Sequence, residues 1–320
     1  MNKLIFQKAY SAILAASSVL LITHSHPDGD GLASVCALAE LLDLNKKKFI
    51  CFCADQPPAN LSFLPHIEKF ISNKKFLDWD SFNLIIVCDC GSLGKTELIK
   101  EIEERQKDQI LINFDHHIKL DNKTDVNIAD PKAASTTEII YDFFSTNQLD
   151  INQNIANCIL TGILTDTANF LYPNTSNKTI KIASEMLQSG AVFPKVSRLS
   201  SRNKNVTTMK IWGRAINNLK INYKYKIAFS VLTDIDFPVT GFDDESLNAL
   251  PGFLSNLNGV KAVMLLKEEN GVISGNFRTN KDRINVATLA GTLGGGGHIK
   301  ASGFTIEGQL VEVDGRWKIV

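Results

Sequence analysis

The chain has 320 residues, 44% hydrophobic and 21% charged, with 34 Lys/Arg against 34 Asp/Glu, the make-up of an ordinary soluble globular protein in which two domains are expected. No basic run suits tracking along extended nucleic acid, and no stretch approaches the ~20 apolar residues of a membrane span. The zero net charge conceals two halves: residues 1–188 hold 17 Lys/Arg against 23 Asp/Glu, whereas residues 189–320 hold 17 against 11. An acidic half suits metal binding and a basic half an anionic ligand.

Residues 3–16 read as a helix. With Lys3, Lys8 and the apolar stretch 12–22 they superficially resemble a secretory signal, but that stretch runs straight into an Asp/His cluster. Strand 19–23 ends in Thr23-His24-Ser25-His26-Pro27-Asp28-Gly29-Asp30, followed by an Ala/Leu-rich helix at 31–44 and strand 49–53. Strand 84–88 delivers Asp89 and is followed by a charged helix near 95–106; strand 110–114 delivers Asp115-His116-His117. Short aliphatic runs alternating with helices predict a parallel sheet buried on both faces. Beyond Asp130-Pro131 the pattern turns helical. Ser135-Thr136-Thr137-Glu138 is a capping box, 151–169 a second helix, and Ser176 caps a third ending at Ser189-Gly190.

The six cysteines lack C-x-x-C spacing. Cys51/Cys53 and Cys88/Cys90 are expected to share a strand face pairwise as reduced, buried thiols, which points to the cytoplasm. Residues 190–203 read as a linker between domains 1–189 and 204–320. The second domain is predicted to hold helices at 204–219, 244–257 and 284–292, and strands at 226–233, 260–267, 272–278 and 301–306. A terminal strand pair is expected in 308–320. The fold class is α/β: a parallel sheet flanked by helices, then a smaller α/β domain with a mixed sheet, the active site lying in the cleft between them.

Three strand tips carrying Asp and His at one sheet edge point to a metal site. His24 and Asp28 flank a proline turn, and Asp28 and Asp30 can serve two adjacent ions. Asp89 can bridge them, and His116 or His117 approaches from the third tip. Asp166, inside the apolar helix Thr161-Gly162-Ile163-Leu164-Thr165-Asp166, is costly to bury unless paired or metal-bound. Alone, each has a plainer reading: a D-x-D turn, a helix cap, a buried hydrogen-bonding acid. Their coincidence carries the case. Four converging carboxylates need about four positive charges, as two divalent ions supply; mixed imidazole and carboxylate ligation favours Mn²⁺, with Co²⁺, Mg²⁺ or Zn²⁺ as substitutes. The expected chemistry is two-metal hydrolysis with a bridging hydroxide as nucleophile.

His24-x-x-x-Asp28-x-Asp30, Asp89, Asp115-His116-His117 and Asp166 resemble the four motifs of the DHH phosphoesterase superfamily. Its members include RecJ-type exonucleases, family II pyrophosphatases, cyclic-dinucleotide phosphodiesterases and NrnA-type nanoRNases. The resemblance implies one Mn²⁺ on His24, Asp28 and Asp89 and a second on Asp30, Asp89, His116 and Asp166. It also implies an unligated His117 against the scissile phosphate, with Asp115 orienting it. His26 lies outside the motif.

The run Gly294-Gly295-Gly296-Gly297-His298-Ile299-Lys300-Ala301-Ser302-Gly303 is the second strong signal. Four glycines, inexplicable by packing, are read as a phosphate-binding nest, with His298 and Ser302 adding donors. The segment resembles the G-G-G-H motif of the DHH-associated C-terminal domain. Arg278 resembles that domain's substrate-binding arginine, while Asn276 and Lys281 are weaker candidates. Together these imply a Mn²⁺-dependent phosphodiesterase that cuts short oligonucleotides to mononucleotides, with 3′-phosphatase action on 3′-phosphoadenosine 5′-phosphate beside it. The alternative is a phosphodiesterase for cyclic dinucleotides or linear pApA. A RecJ-type exonuclease, a pyrophosphatase and a non-catalytic nucleotide-binding regulator stand further back. A homodimer is left open.

Overall fold

A computed structural model describes residues 3–117, 124–201, 206–237, 244–313 and 316–320. The chain divides into two compact units, Met1–Asn203 and Lys204–Val320. The first runs α1 (Lys3–Ala15), β1 (Ser18–Thr23), α2 (Gly29–Leu44), β2 (Lys48–Phe52), β3 (Phe70–Ile71), β4 (Leu84–Cys88), α3 (Ile99–Glu103) and β5 (Ile110–Asp115). It continues with β6 (Val126–Ala129), α4 (Thr136–Thr146), α5 (Gln153–Asp166), α6 (Asn177–Gln188) and α7 (Phe193–Ser201).

Its sheet has the order β3-β2-β1-β4-β5-β6, with every pairing parallel. The chain therefore reverses direction across the sheet between β1 and β4, the switch point where α/β sheets open a crevice at their carboxyl ends. Thr23 pairs with Cys88 and Cys88 with Phe114, so the tips of β1, β4 and β5 end level and adjacent. Alternate residues of the aliphatic runs face opposite cores. Val19, Leu21, Leu84, Ile86 and Ile112 pack into the larger one. Leu20, Ile22, Ile85, Val87 and Leu111 pack into the smaller. That two-sided burial explains why these strands read as continuous apolar runs.

Several expectations need correction. The charged helix near 95–106 shrinks to α3, because a 3₁₀ turn occupies Leu93–Thr96 and Glu97 adopts a left-handed φ of 57°. Cys88 and Cys90 do not share a face: Asp89 between them has φ 62°, which turns Cys88 into the larger core and Cys90 into the smaller. All six cysteines are free and buried. The stretch read as a linker contains α7, whose Val196 is buried in the larger core. Ser135 caps α4 through the Glu138 amide, but Glu138 does not complete the box; its carboxylate takes the Thr179 hydroxyl at 2.9 Å.

The second unit comprises α8 (Val206–Asn217), β7 (Lys220–Asn222), β8 (Ile227–Leu232), α9 (Asp244–Leu254), β9 (Ala262–Glu269) and β10 (Val272–Arg278). Then follow α10 (Val286–Gly291), β11 (Gly296–Gly297), β12 (Ala301–Glu307), β13 (Leu310–Val313) and β14 (Arg316–Ile319). Its sheet, β11-β12-β10-β9-β8-β7, is mixed, with β8 and β9 parallel and the other pairs antiparallel. The last two strands form the expected terminal pair. Among the described residues no helix is long and apolar enough to cross a membrane.

Candidate metal centre

Each predicted ligand is placed by a backbone feature that the local sequence dictates. His24 leaves β1 with its Nδ1 facing the Ser25 carbonyl at 2.7 Å. A nitrogen facing a carbonyl carries the proton, so Nε2 keeps its lone pair for a cation. Asp28 is the N-cap of α2, its Oδ1 accepting the Asp30 and Gly31 amides at 3.0 Å each. Cap and ligand are therefore compatible roles, since Oδ2 remains. Asp89 sits just beyond β4 in a left-handed conformation that costs a non-glycine residue about 1–2 kcal/mol. It is 2% exposed. His116 presents Nε2 in the same way, its Nδ1 lying 3.4 Å from the Ala133 carbonyl.

These groups converge as three overlapping triads: His24, Asp28 and Asp89; Asp30, His116 and Asp166; Asp89, His116 and His117. Within each, the donor atoms lie within 4.8 Å of one another. Asp89 faces both sides. Its Oδ2 is 3.9 Å from His24 Nε2, and its Oδ1 is 3.5 Å from both His116 Nε2 and His117 Nδ1. Asp166 Oδ2 approaches His116 Nε2 to 3.2 Å. Asp115 accepts three hydrogen bonds, from the His117 ring (2.7 Å), the His117 amide (2.9 Å) and the Gly91 amide (2.6 Å). The resulting Nδ1–H tautomer points His117 Nε2 outward. A set of carboxylate oxygens and imidazole Nε2 atoms at this spacing fits hard or borderline divalent cations.

Electrostatics describe a cluster short of positive charge. Burial, then the Asp166 and Asp28 carboxylates, push Asp30 up to about 7. Burial with Asp30 and Asp28 holds Asp89 well above the usual carboxylate range. For His116, burial is outweighed by Asp166, Asp89 and Asp30, which push it up to about 11. Burial is likewise outweighed for Asp28, held low by His24 and two amides, and for Asp115, held low by His117.

A pH-dependent response to metal follows. Above pH ~4 the unfolded chain has released protons that Asp30 and Asp89 still hold when folded, so metal-free stability falls as pH climbs toward 7. The stability His116 contributes is complete below ~6.5 and fades above it, in the same direction. The gain in Tm from Mn²⁺ over chelator is therefore expected to widen between pH 5 and 8. Calorimetry showing a pH-independent gain would contradict a carboxylate-dominated site.

Three contributors have no mark in the local sequence. The Thr136 and Thr137 amides, at the start of α4, donate to Asp30 Oδ2 (2.6 Å) and Oδ1 (3.0 Å). The Thr136 hydroxyl donates to Asp89 Oδ1 at 2.9 Å. Gly162 lets α5 pass so close that a Cβ there would lie 2.3 Å from Asp30 Oδ1. Only the Ser-Thr-Thr-Glu signature hinted at the two threonines, by fixing where α4 begins.

In the second unit, packing does account for part of the glycine run. A Cβ on Gly295 would meet the Gly303 carbonyl at 2.1 Å, and one on Gly297 the Ala301 carbonyl at 2.7 Å. The amides of Gly294, Gly295 and His298 donate to the carbonyls of Gly291, Ala290 and Ala301, so they are not free to cradle an anion. Ser302 is buried and donates to the Val286 carbonyl at 2.7 Å, which removes it as a donor to substrate. A Cβ on Gly294 or Gly296 would meet nothing within 4 Å. His298 is exposed. Arg278 donates through Nη1 to the Phe277 carbonyl (3.0 Å), while its Nε is buried without a partner among the described residues. A cavity of about 370 Å³, lined by Ser274, Asn276, Gly294, Gly295 and Thr305 among others, opens beside the run.

Fold and ligand cluster define a phosphoric ester hydrolase of the α/β class. The DHH family N-terminal domain matches residues 18–163 and the DHHA1 domain residues 224–313. The bifunctional oligoribonuclease and PAP phosphatase NrnA of Bacillus subtilis (strain 168) is 30% identical over 302 residues, spanning 90% of this chain and 89% of that one. An exopolyphosphatase-related protein from Bacteroides fragilis superposes with a TM-score of 0.87 at 21% identity, over 96% of this chain and 92% of its own. RecJ of Thermus thermophilus, solved with Mn²⁺, gives 0.55 at 13% identity over 95% of this chain and 52% of its own. The last two are likenesses of fold. The chain belongs to the DHH family.

Proposed function

We propose that the protein is a Mn²⁺-dependent phosphodiesterase that trims very short oligoribonucleotides to mononucleotides and removes the 3′-phosphate of 3′-phosphoadenosine 5′-phosphate. The observation that carries this reading is the three overlapping ligand triads gathered around Asp89 and His116 at the sheet's switch point. The substrate class follows the name of the Bacillus relative, and the choice of manganese follows the donor set, in keeping with the RecJ fold neighbour solved with Mn²⁺.

His24, Asp28 and Asp89 would hold one ion, and Asp30, Asp89, His116 and Asp166 the other. Bound there, two divalent ions neutralise charge on phosphoryl oxygens and lower the pKa of water. The remaining work belongs to the chain. Asp115 fixes the ring of His117 through Nδ1, so that Nε2 can meet a phosphoryl oxygen. In the second unit Arg278, whose buried Nε has no partner among the described residues, would bind a substrate phosphate. His298 is exposed on the glycine-rich segment. Six buried reduced thiols fit a reducing compartment, which we take to be the cytoplasm.

The test is a panel with Mn²⁺: a five-mer RNA, 3′-phosphoadenosine 5′-phosphate, pApA, cyclic di-AMP, 24-mer single-stranded DNA and pyrophosphate. The five-mer and 3′-phosphoadenosine 5′-phosphate are expected to turn over fastest. Preference for the 24-mer, for pyrophosphate or for the cyclic dinucleotide would each replace this reading with another, and no turnover at all would favour a regulator.

A further inference from the structure

We infer that Thr136 is a positioning residue for both ligand sets, acting through its hydroxyl on Asp89 and through its amide on Asp30; the inference rests on the metal-dependent reading above. Thr136 is the first residue of α4 and fully buried. It joins Asp89 of one triad to Asp30 of another through protein atoms. Its amide reaches Asp30 Oδ2 at 2.6 Å, across 106 residues of sequence, and its hydroxyl reaches Asp89 Oδ1 at 2.9 Å.

The helix does not need that hydroxyl. Its orphan amides are already satisfied: Thr136 and Thr137 donate to Asp30, and Glu138 donates to the Ser135 hydroxyl at 3.1 Å. Packing alone would accept valine, which has the same shape and needs no buried partner. A hydroxyl at this place is accounted for by what it does to Asp89. That carboxylate has one oxygen toward His24 and the other toward His116 and His117, on a backbone turn with φ 62°. A donor on Oδ1 selects the rotamer in which each oxygen faces its own side. Without it the carboxylate can rotate and present both oxygens to one set. Groups that orient ligands in this way typically change metal affinity or activity by 10–100-fold when removed.

The experiment compares Thr136→Val, Thr136→Ser and Thr136→Ala with the unaltered protein, reading Mn²⁺ binding by calorimetry and electron paramagnetic resonance beside kcat and KM for 3′-phosphoadenosine 5′-phosphate. Thr136→Val is expected to weaken Mn²⁺ binding and lower kcat by about 10–100-fold at nearly constant KM, with Thr136→Ser close to the unaltered protein. If Thr136→Val does not fold, the Ser and Ala variants isolate the hydroxyl on a small side chain, and Ala is expected to behave as Val would. Wild-type Mn²⁺ affinity and kcat in Thr136→Val would overturn the inference. So would a serine variant as impaired as alanine or valine, which would assign the effect to the methyl group. Should the unaltered protein bind Mn²⁺ but leave every nucleotide intact, the proposed function falls while the Mn²⁺ comparison still judges Thr136. Should it bind no Mn²⁺, both fall.

Discussion

Asp89→Asn is expected to abolish hydrolysis while making the metal-free protein more stable. The activity loss comes from removing the one carboxylate that faces both ligand sets, and at least about a thousandfold is expected, or ~4 kcal/mol of transition-state stabilisation. The stability gain has the opposite origin. Asp89 is buried beside Asp30 and Asp28, with His116 offsetting only part of their repulsion, and without metal ions it has two routes. It can stay charged, where the Asp28 carboxylate within 4.8 Å repels it by roughly 3–4 kcal/mol at an effective dielectric of 20. It can instead take a proton that the unfolded chain does not hold at pH 7, which also costs about 4 kcal/mol, three pKa steps above the free value. The cheaper route bounds the penalty, and Asn avoids both. In chelator the variant's Tm should therefore rise by several degrees. A variant that keeps a tenth of its activity, or melts lower in chelator, would refute the bridging position of Asp89.

Much of this site could be read from the chain because its ligands punctuate regular elements. Each aliphatic run is buried on both faces, so its end is sharp; His24 and Asp89 follow such an end and Asp115 is the last residue of its strand. Asp166 stood out because it lies in a helix whose preceding residues are almost all buried. What could not be read depends on contacts between distant segments. Nothing near Asp30 announces that the start of α4 will donate two amides to it. Nothing near Cys90 announces that Asp89 will reverse the face of the strand. The glycine run shows the converse error. Its composition suggested free amides, yet those of Gly294, Gly295 and His298 are spent on backbone carbonyls, and two of the glycines are there to let β12 approach. Composition reports where backbone comes close; only the tertiary partner decides whether that partner is a ligand or another strand.

Gly162 tests that distinction by a change that should help a helix and here should ruin one. Replacing an interior helical glycine by alanine ordinarily stabilises by up to about 1 kcal/mol. At Gly162→Ala the new methyl would sit 2.2 Å from Thr137 Oγ1 and 2.3 Å from Asp30 Oδ1. Neither obstacle can swing aside. Thr137 Oγ1 is hydrogen-bonded to Ser135 at 2.9 Å, and both oxygens of Asp30 are held by helix amides. Overpacking of this kind costs roughly 1–3 kcal/mol or more, which exceeds the propensity gain. The relief available is to push α5 away from α2 and α4, and that carries Asp166 away from Asp30 and His116. Hydrolysis is expected to fall at least a hundredfold and Tm by several degrees. Gly213 in α8 supplies the control, since a Cβ there meets nothing within 4 Å. Gly213→Ala should keep full activity and raise Tm slightly. The same substitution would then carry opposite signs in two helices; equal shifts in Tm, or full activity in Gly162→Ala, would mean that α5 does not pass against Asp30 as closely as the site requires.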